Sequence, residues 1–286
     1  MFFSVFSNKK KFILVLLSSL LLGIFIFLTN SKPTSSEKNG EITPTVFIHG
    51  FKGGPGTFNT MMNRLEQQNV GSKRMIAYVS RQGHVTLRGS LPPNMEPFIQ
   101  VLFENDRASL KQQTIWLQEV IHRLKERHGI QQINLVGHSM GGLAATNFLL
   151  HYQEDQYPIV QKLAVIASPF KGIHKEGYFE VHSSPAANDL KPESEALKSM
   201  FLRKEFFPKG VDTLVIAGVI NSSEEESDHW DGLVHVSSVK AMKSIVPFGS
   251  YREEVVFGNS ATHSGLHEYP EVDRILGEFL WEKPNE

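Results

Sequence analysis

Gly137-His138-Ser139-Met140-Gly141-Gly142 follows the short run Ile133-Asn134-Leu135-Val136 without a break and leads directly into Leu143-Ala144-Ala145. A G-x-S-x-G stretch set between a strand and a helix holds its serine in a sharp, strained turn and projects the hydroxyl from the carboxyl end of a sheet. Glycine is needed around it because a β-carbon would meet the adjoining strand or helix. This context separates the stretch from the many chance occurrences of the pattern and makes Ser139 the expected nucleophile.

Working outward, strand-like and helix-like runs alternate. Residues 45–48 read as a buried strand that stops at His49-Gly50, residues 58–68 as a helix, and 75–79 as a second strand. The spacing of Leu110, Ile115, Leu117, Val120, Ile121 and Leu124 predicts a helix over 109–128 that closes at Gly129 after basic residues. Further strands are expected at 133–136, 163–167, 213–219 and 255–257, with helices at 143–150 and 272–281. Parallel strands need crossover connections, so the alternation predicts a mostly parallel central sheet with helices on both faces. Two stretches fit poorly. Residues 83–105 could form a hairpin. Residues 170–210 are long for a crossover, and Leu197, Met200, Phe201 and Phe207 interleave there with charged residues. That pattern suits either a cap over an apolar pocket or a helix packed on the domain.

Composition narrows the function. The 286 residues are 41% hydrophobic and 21% charged, which describes a packed globular chain. With 29 basic against 30 acidic residues the net charge is −1, giving no electrostatic reason for a nucleic-acid partner. The chain has no cysteine, so disulfides, a thiol nucleophile and cysteine-held metal centres are excluded. Neither a cofactor nor a metal is expected.

Near the start, Lys9, Lys10 and Lys11 precede an apolar run over residues 12–28. That run exceeds the roughly 7–15 residues of a cleaved signal and approaches the roughly 20 that cross a bilayer. An N-terminal signal or anchor segment is therefore expected over 1–29, a flexible tether over 30–40 and the catalytic domain over 41–286. Positive charge before the span puts the domain outside the cell membrane, anchored there or, if the leader is cleaved, secreted.

A serine hydroxyl needs a base, and the base needs an orienting carboxylate; in this architecture their order is Ser, Asp or Glu, then His. Asp231 precedes Gly232 just beyond the strand at 213–219, with Asp228 as its rival in the same loop. His263 and His267 both follow the strand at 255–257; His263 is nearer the strand end, where its side chain can return over Ser139. His122, His128 and His151 fall on helices and read as solvated. The developing oxyanion needs two N–H donors. Met140 supplies one, and Phe51, in the His49-Gly50-Phe51-Lys52-Gly53-Gly54 turn, supplies the second.

With these residues in place the chain resembles the α/β-hydrolase superfamily. More narrowly, it resembles the cell-surface α/β hydrolases of low-GC Gram-positive bacteria, a family first grouped as a domain of unknown function. The carriers are His49-Gly50-Phe51, the elbow at 137–142, Ala167-Ser168-Pro169-Phe170 with Gly172, Asp231-Gly232 and Thr262-His263-Ser264-Gly265-Leu266-His267. The resemblance implies a Ser139, Asp231, His263 triad and hydrolase activity. The expected reaction is lipase-like or esterase-like cleavage of a small-molecule or lipid ester. An acyltransferase or amidase with the same triad, or a non-catalytic surface binding protein, are the alternatives.

Overall fold

The computed structural model describes residues 42–92, 96–152, 155–220 and 229–281. The expected anchor and tether, and Asp228, lie outside the described residues. Among the described residues no helix is long and apolar enough to cross a membrane.

In chain order the elements are β1 (Thr45–Ile48), α1 (Gly56–Gln67), β2 (Ser72–Val79), β3 (Val85–Gly89), β4 (Pro97–Phe103), α2 (Leu110–His128), β5 (Gln132–His138) and α3 (Met140–Leu149). They continue with β6 (Ile159–Ile166), α4 (Tyr178–Val181), α5 (Pro185–Asp189), α6 (Glu195–Leu202), β7 (Asp212–Val219), α7 (Val236–Lys240), β8 (Tyr251–Phe257) and α8 (Pro270–Leu280). The strands form one eight-stranded sheet in the order β3-β2-β4-β1-β5-β6-β7-β8. Every neighbouring pair is parallel except β2 with β3.

Successive side chains of a strand point to opposite faces, and the core divides accordingly. Val46, Ile48, Leu135, Leu163, Val165 and Val215 face the cluster that contains Leu117 and Val120 of α2 and Leu143 and Phe148 of α3. Phe47, Val136, Ala164, Ile166, Leu214 and Ile216 face the opposite cluster, with Phe58 and Met62 of α1 and Val272 and Leu276 of α8. Helices thus cover both faces of a mostly parallel sheet. The longest helix has the ends its sequence foretells: the Ser109 hydroxyl accepts the Gln112 N–H, and Gly129 closes it at φ 65°.

The first irregular stretch differs from its reading, and the second takes one of its two readings, the helix packed on the domain. Residues 83–105 do not fold back on themselves as a hairpin. β3 pairs antiparallel with β2, whereas β4 inserts as a parallel strand between β2 and β1. Its one central polar side chain, Gln100, is satisfied by accepting from Lys73 Nζ at 2.6 Å and donating to the Pro55 carbonyl at 2.9 Å. In residues 170–210 the apolar face of α6 is packed on the domain. Leu197, Met200 and Phe207 are buried in the core, and the Arg203 guanidinium donates to the Leu150 carbonyl at the far end of α3 from Ser139.

Candidate active site

β5 stops at His138 and α3 begins at Met140, which leaves Ser139 at φ 54° and ψ −125°. A residue with a β-carbon is strained there, and its surroundings must hold it. They do so by bare backbone contact. A β-carbon on Gly141 would overlap the Ile48 carbonyl oxygen, and one on Gly50 would come within 2.8 Å of the His138 oxygen and 2.9 Å of the Met140 nitrogen. The first-strand loop therefore closes directly on the serine turn.

Ser139, Asp231 and His263 come from three separate strand ends and meet. Ser139 Oγ lies 3.0 Å from His263 Nε2, and His263 Nδ1 lies 2.8 Å from Asp231 Oδ2. Asp231 is 1% exposed. Its other oxygen accepts the N–H groups of Leu233 at 2.9 Å and Val234 at 2.7 Å, a turn made by Gly232 at φ 87°. A carboxylate that accepts only hydrogen bonds fixes the proton of His263 on Nδ1, so Nε2 is free to accept from the serine hydroxyl. The backbone repeats the connection: His263 N–H donates to the Asp231 carbonyl at 2.8 Å.

Phe51 and Met140 lie on either side of this turn. Among the described residues neither of their N–H groups has an acceptor. His49 stiffens the loop that carries Phe51. Its Nε2 accepts the Phe103 N–H at 3.0 Å, so its proton sits on Nδ1, which donates to the Gly50 carbonyl at 2.9 Å. Burial holds the His49 imidazole below its ordinary value, in keeping with this neutral form.

Ser139 and His263 open into a cleft of about 370 Å³ bounded by the Gly50–Gly54 backbone, Thr57, His138, Ser264 and His267. Clefts of about 460 and 550 Å³ lie elsewhere on the surface and do not include Ser139. His267 is not the nearer histidine to the serine. It packs edge-on against His138, 5.1 Å between centroids, and pairs with Glu268 at 3.2 Å. His151 is exposed, and the ring nitrogen of His122 bonds the Gln156 carbonyl. Among the described residues no group of three or more His, Asp or Glu side chains is placed to hold a metal ion.

Two features were not read from the sequence. His138 is buried, and its Nε2 lies 2.8 Å from the His263 carbonyl oxygen. Burial first, then the neighbouring His263 and His267, push its imidazole well below the ordinary value. The second is a set of basic side chains around Phe51. Lys52 Nζ lies 5.9 Å and the Arg107 guanidinium 6.0 Å from the ring centroid, and the His182 ring stands edge-on at 6.0 Å. A histidine inside a nucleophile turn is a clue to the first; no local pattern announces the second.

A sequence profile described as an α/β hydrolase of unknown function (DUF915) matches residues 32–283. No protein of curated function matches the chain by sequence. Among solved structures, the lin2722 product of Listeria innocua is similar at 26% identity and a TM-score of 0.72, covering 86% of this chain and 96% of its own. The "putative cell surface hydrolase" of Lactobacillus plantarum is similar at 20% identity and a TM-score of 0.66, covering 86% and 94%. The mature lipase BlEst2 of Bacillus licheniformis shares the fold at 14% identity and a TM-score of 0.53, covering 83% and 93%.

Proposed function

The chain belongs to the α/β hydrolase family of unknown function whose profile spans residues 32–283, and from that premise we propose that it hydrolyses carboxylic esters through an acyl-enzyme on Ser139. One observation carries the reading: Ser139 Oγ, both nitrogens of His263 and a buried carboxylate of Asp231 stand in line at 3.0 and 2.8 Å.

Each step then has an atom to perform it. Ser139 Oγ bonds to the ester carbonyl carbon while its proton moves to His263 Nε2, and Asp231 stabilises the imidazolium. The carbonyl oxygen becomes an oxyanion held by the N–H groups of Phe51 and Met140. Collapse breaks the bond to the alcohol oxygen, which leaves with the proton from Nε2. Water gives a proton to the same nitrogen, attacks the acyl carbon and releases the carboxylic acid, restoring Ser139.

The reading extends to place: the domain works on the outer face of the cell membrane, tethered through residues 12–28. Lys9, Lys10 and Lys11 ahead of that run support it, as does the likeness to the Lactobacillus protein.

The test is a series of 4-nitrophenyl esters offered to wild type and to Ser139→Ala. Release of nitrophenol by wild type, cut by about 10³-fold or more in the variant, is expected. Equal rates in the two proteins would exclude the acyl-enzyme. Product analysis with added alcohols separates hydrolysis from transfer of the acyl group.

A further inference from the structure

Building on Ser139 as the nucleophile, we propose that the substrate is a small polar ester bearing a negative charge close to the scissile bond, recognised by Lys52 and Arg107 at the rim formed by Phe51.

The lining of the cleft carries the first part. Among the described residues that bound the Ser139 cleft, Phe51 is the only large apolar side chain; the others are glycines, Lys52, Thr57, two serines and three histidines. Pockets that accept apolar acyl chains are lined mainly by hydrophobic and aromatic side chains, and this one is not. Nor does α6 cover it with apolar surface, because Leu197 and Met200 are buried against the domain instead. The space, about 370 Å³, lies at the low end of the range for small-molecule sites.

Charge carries the second part. Lys52 stands one residue beyond the Phe51 N–H, held at φ 59° with its own N–H donated to the Asp106 carbonyl at 3.0 Å. That bond joins the Phe51 loop to the loop that carries Arg107. The Arg107 carbonyl in turn accepts the Ala186 N–H of α5, and His182 completes the group from the preceding turn. Three chain segments thus bring basic groups to one ring. Desolvation first, and then the Lys52 and Arg107 charges, hold the His182 imidazole below its ordinary value. Against them, among the described residues, the Asp106 carboxylate lies 3.8 Å from Arg107 Nε, whereas the Asp231 carboxylate is turned inward onto His263 and the Leu233 and Val234 N–H groups. Lys52 bounds the cleft itself and Arg107 stands behind it across the Phe51 ring, so an anion beside the reacting carbonyl would enter their positive potential, and its neutral counterpart would gain nothing from it.

Two matched pairs of probes test this with the full chain. The acid-side pair is 4-nitrophenyl hemisuccinate and its neutral methyl succinate diester. The alcohol-side pair is 1-acetylglycerol 3-phosphate and 1-acetylglycerol. In at least one pair the charged member is expected to have a kcat/KM about tenfold or more above the neutral one. That ratio should shrink as salt rises from about 0.05 M to about 0.5 M, and the wild-type salt series needs no variant. It should also fall about fivefold or more in Lys52→Gln and Arg107→Gln together. Preference for the neutral member in both pairs would overturn the inference, as would a charge preference indifferent to salt and to the two substitutions. Labelling the same preparation with a fluorophosphonate separates the failures. A labelled enzyme without charge preference refutes the substrate class alone, and an unlabelled one refutes the nucleophile on which it rests.

Discussion

The imidazole of His138 donates from Nε2 to the carbonyl oxygen of His263, 2.8 Å away, so the residue before the serine grips the backbone of the residue that faces the serine. The direction of this bond is forced, since a carbonyl oxygen cannot donate. Three connections then converge on His263: its carbonyl to His138, its N–H to Asp231 and its ring between Asp231 and Ser139.

Removal of that donor should loosen the His263 ring. His138→Phe is expected to lower kcat about 10- to 100-fold with KM moving less than about threefold, because displacement of a reacting group by about 1 Å costs on that order. His138→Gln, which keeps an N–H donor of similar reach, should recover most of the loss. Steady-state kinetics on one chromogenic ester checks both, and equal losses in the two variants would deny the bond its positioning role.

The same burial sets an acid limit on stability. His138 and His49 are neutral in the folded protein because desolvation depresses them, while in the unfolded chain each binds a proton near its ordinary value of 6.5. The unfolded state therefore gains protons first as pH falls. Stability from these groups is complete above about pH 6.5 and is lost as pH drops from there toward the folded values. Thermal melts between about pH 8 and pH 5 should show Tm falling on the acid side, less steeply in His138→Gln. Parallel curves for the two proteins would contradict the assignment.

Arg64 of α1 ties the region after His263 to the helix beside it on the same face of the sheet. It donates to both carboxylate oxygens of the fully buried Asp273, at 2.5 and 3.0 Å, and to the His267 carbonyl at 3.2 Å. Arg64→Ala strands a buried carboxylate and should cost about 3–5 kcal/mol in urea unfolding. Arg64→Met with Asp273→Leu removes both charges and should restore much of that loss. A single-variant cost below about 1 kcal/mol would mean that the pair is not load-carrying in the fold.

Much of this could be read before any coordinates. The near-continuous apolar runs over 45–48, 133–136 and 213–219 mark central strands because burial on both faces leaves few polar positions. Gly232, visible beside Asp231 in the sequence, makes the turn that returns two N–H groups to the carboxylate. What local sequence does not contain is pairing between distant segments. Whether Pro97–Phe103 joins β3 or slots between β2 and β1 depends on residues tens of positions away. So does the side of α6 that finds the core. The gathering of Lys52, Arg107 and His182 around Phe51 is of this kind too, since each residue alone reads as an ordinary solvated side chain.

Glycine substitutions separate close approach from mere flexibility. Gly141→Ala drives a methyl group into the Ile48 carbonyl and should prevent accumulation of soluble folded protein. Gly277→Ala, within α8 where nothing lies near the added carbon, should stabilise by about 0.5–1 kcal/mol. Denaturant midpoints of the two variants check the contrast.

The most direct measurement is the site and rate of modification by a fluorophosphonate, which bonds only to a serine that can lose its proton. Mass spectrometry should find the adduct on the peptide containing Ser139, absent in Ser139→Ala and formed about 10³-fold more slowly in His263→Ala. An adduct on another residue, or a rate unchanged when His263 is removed, would contradict the account.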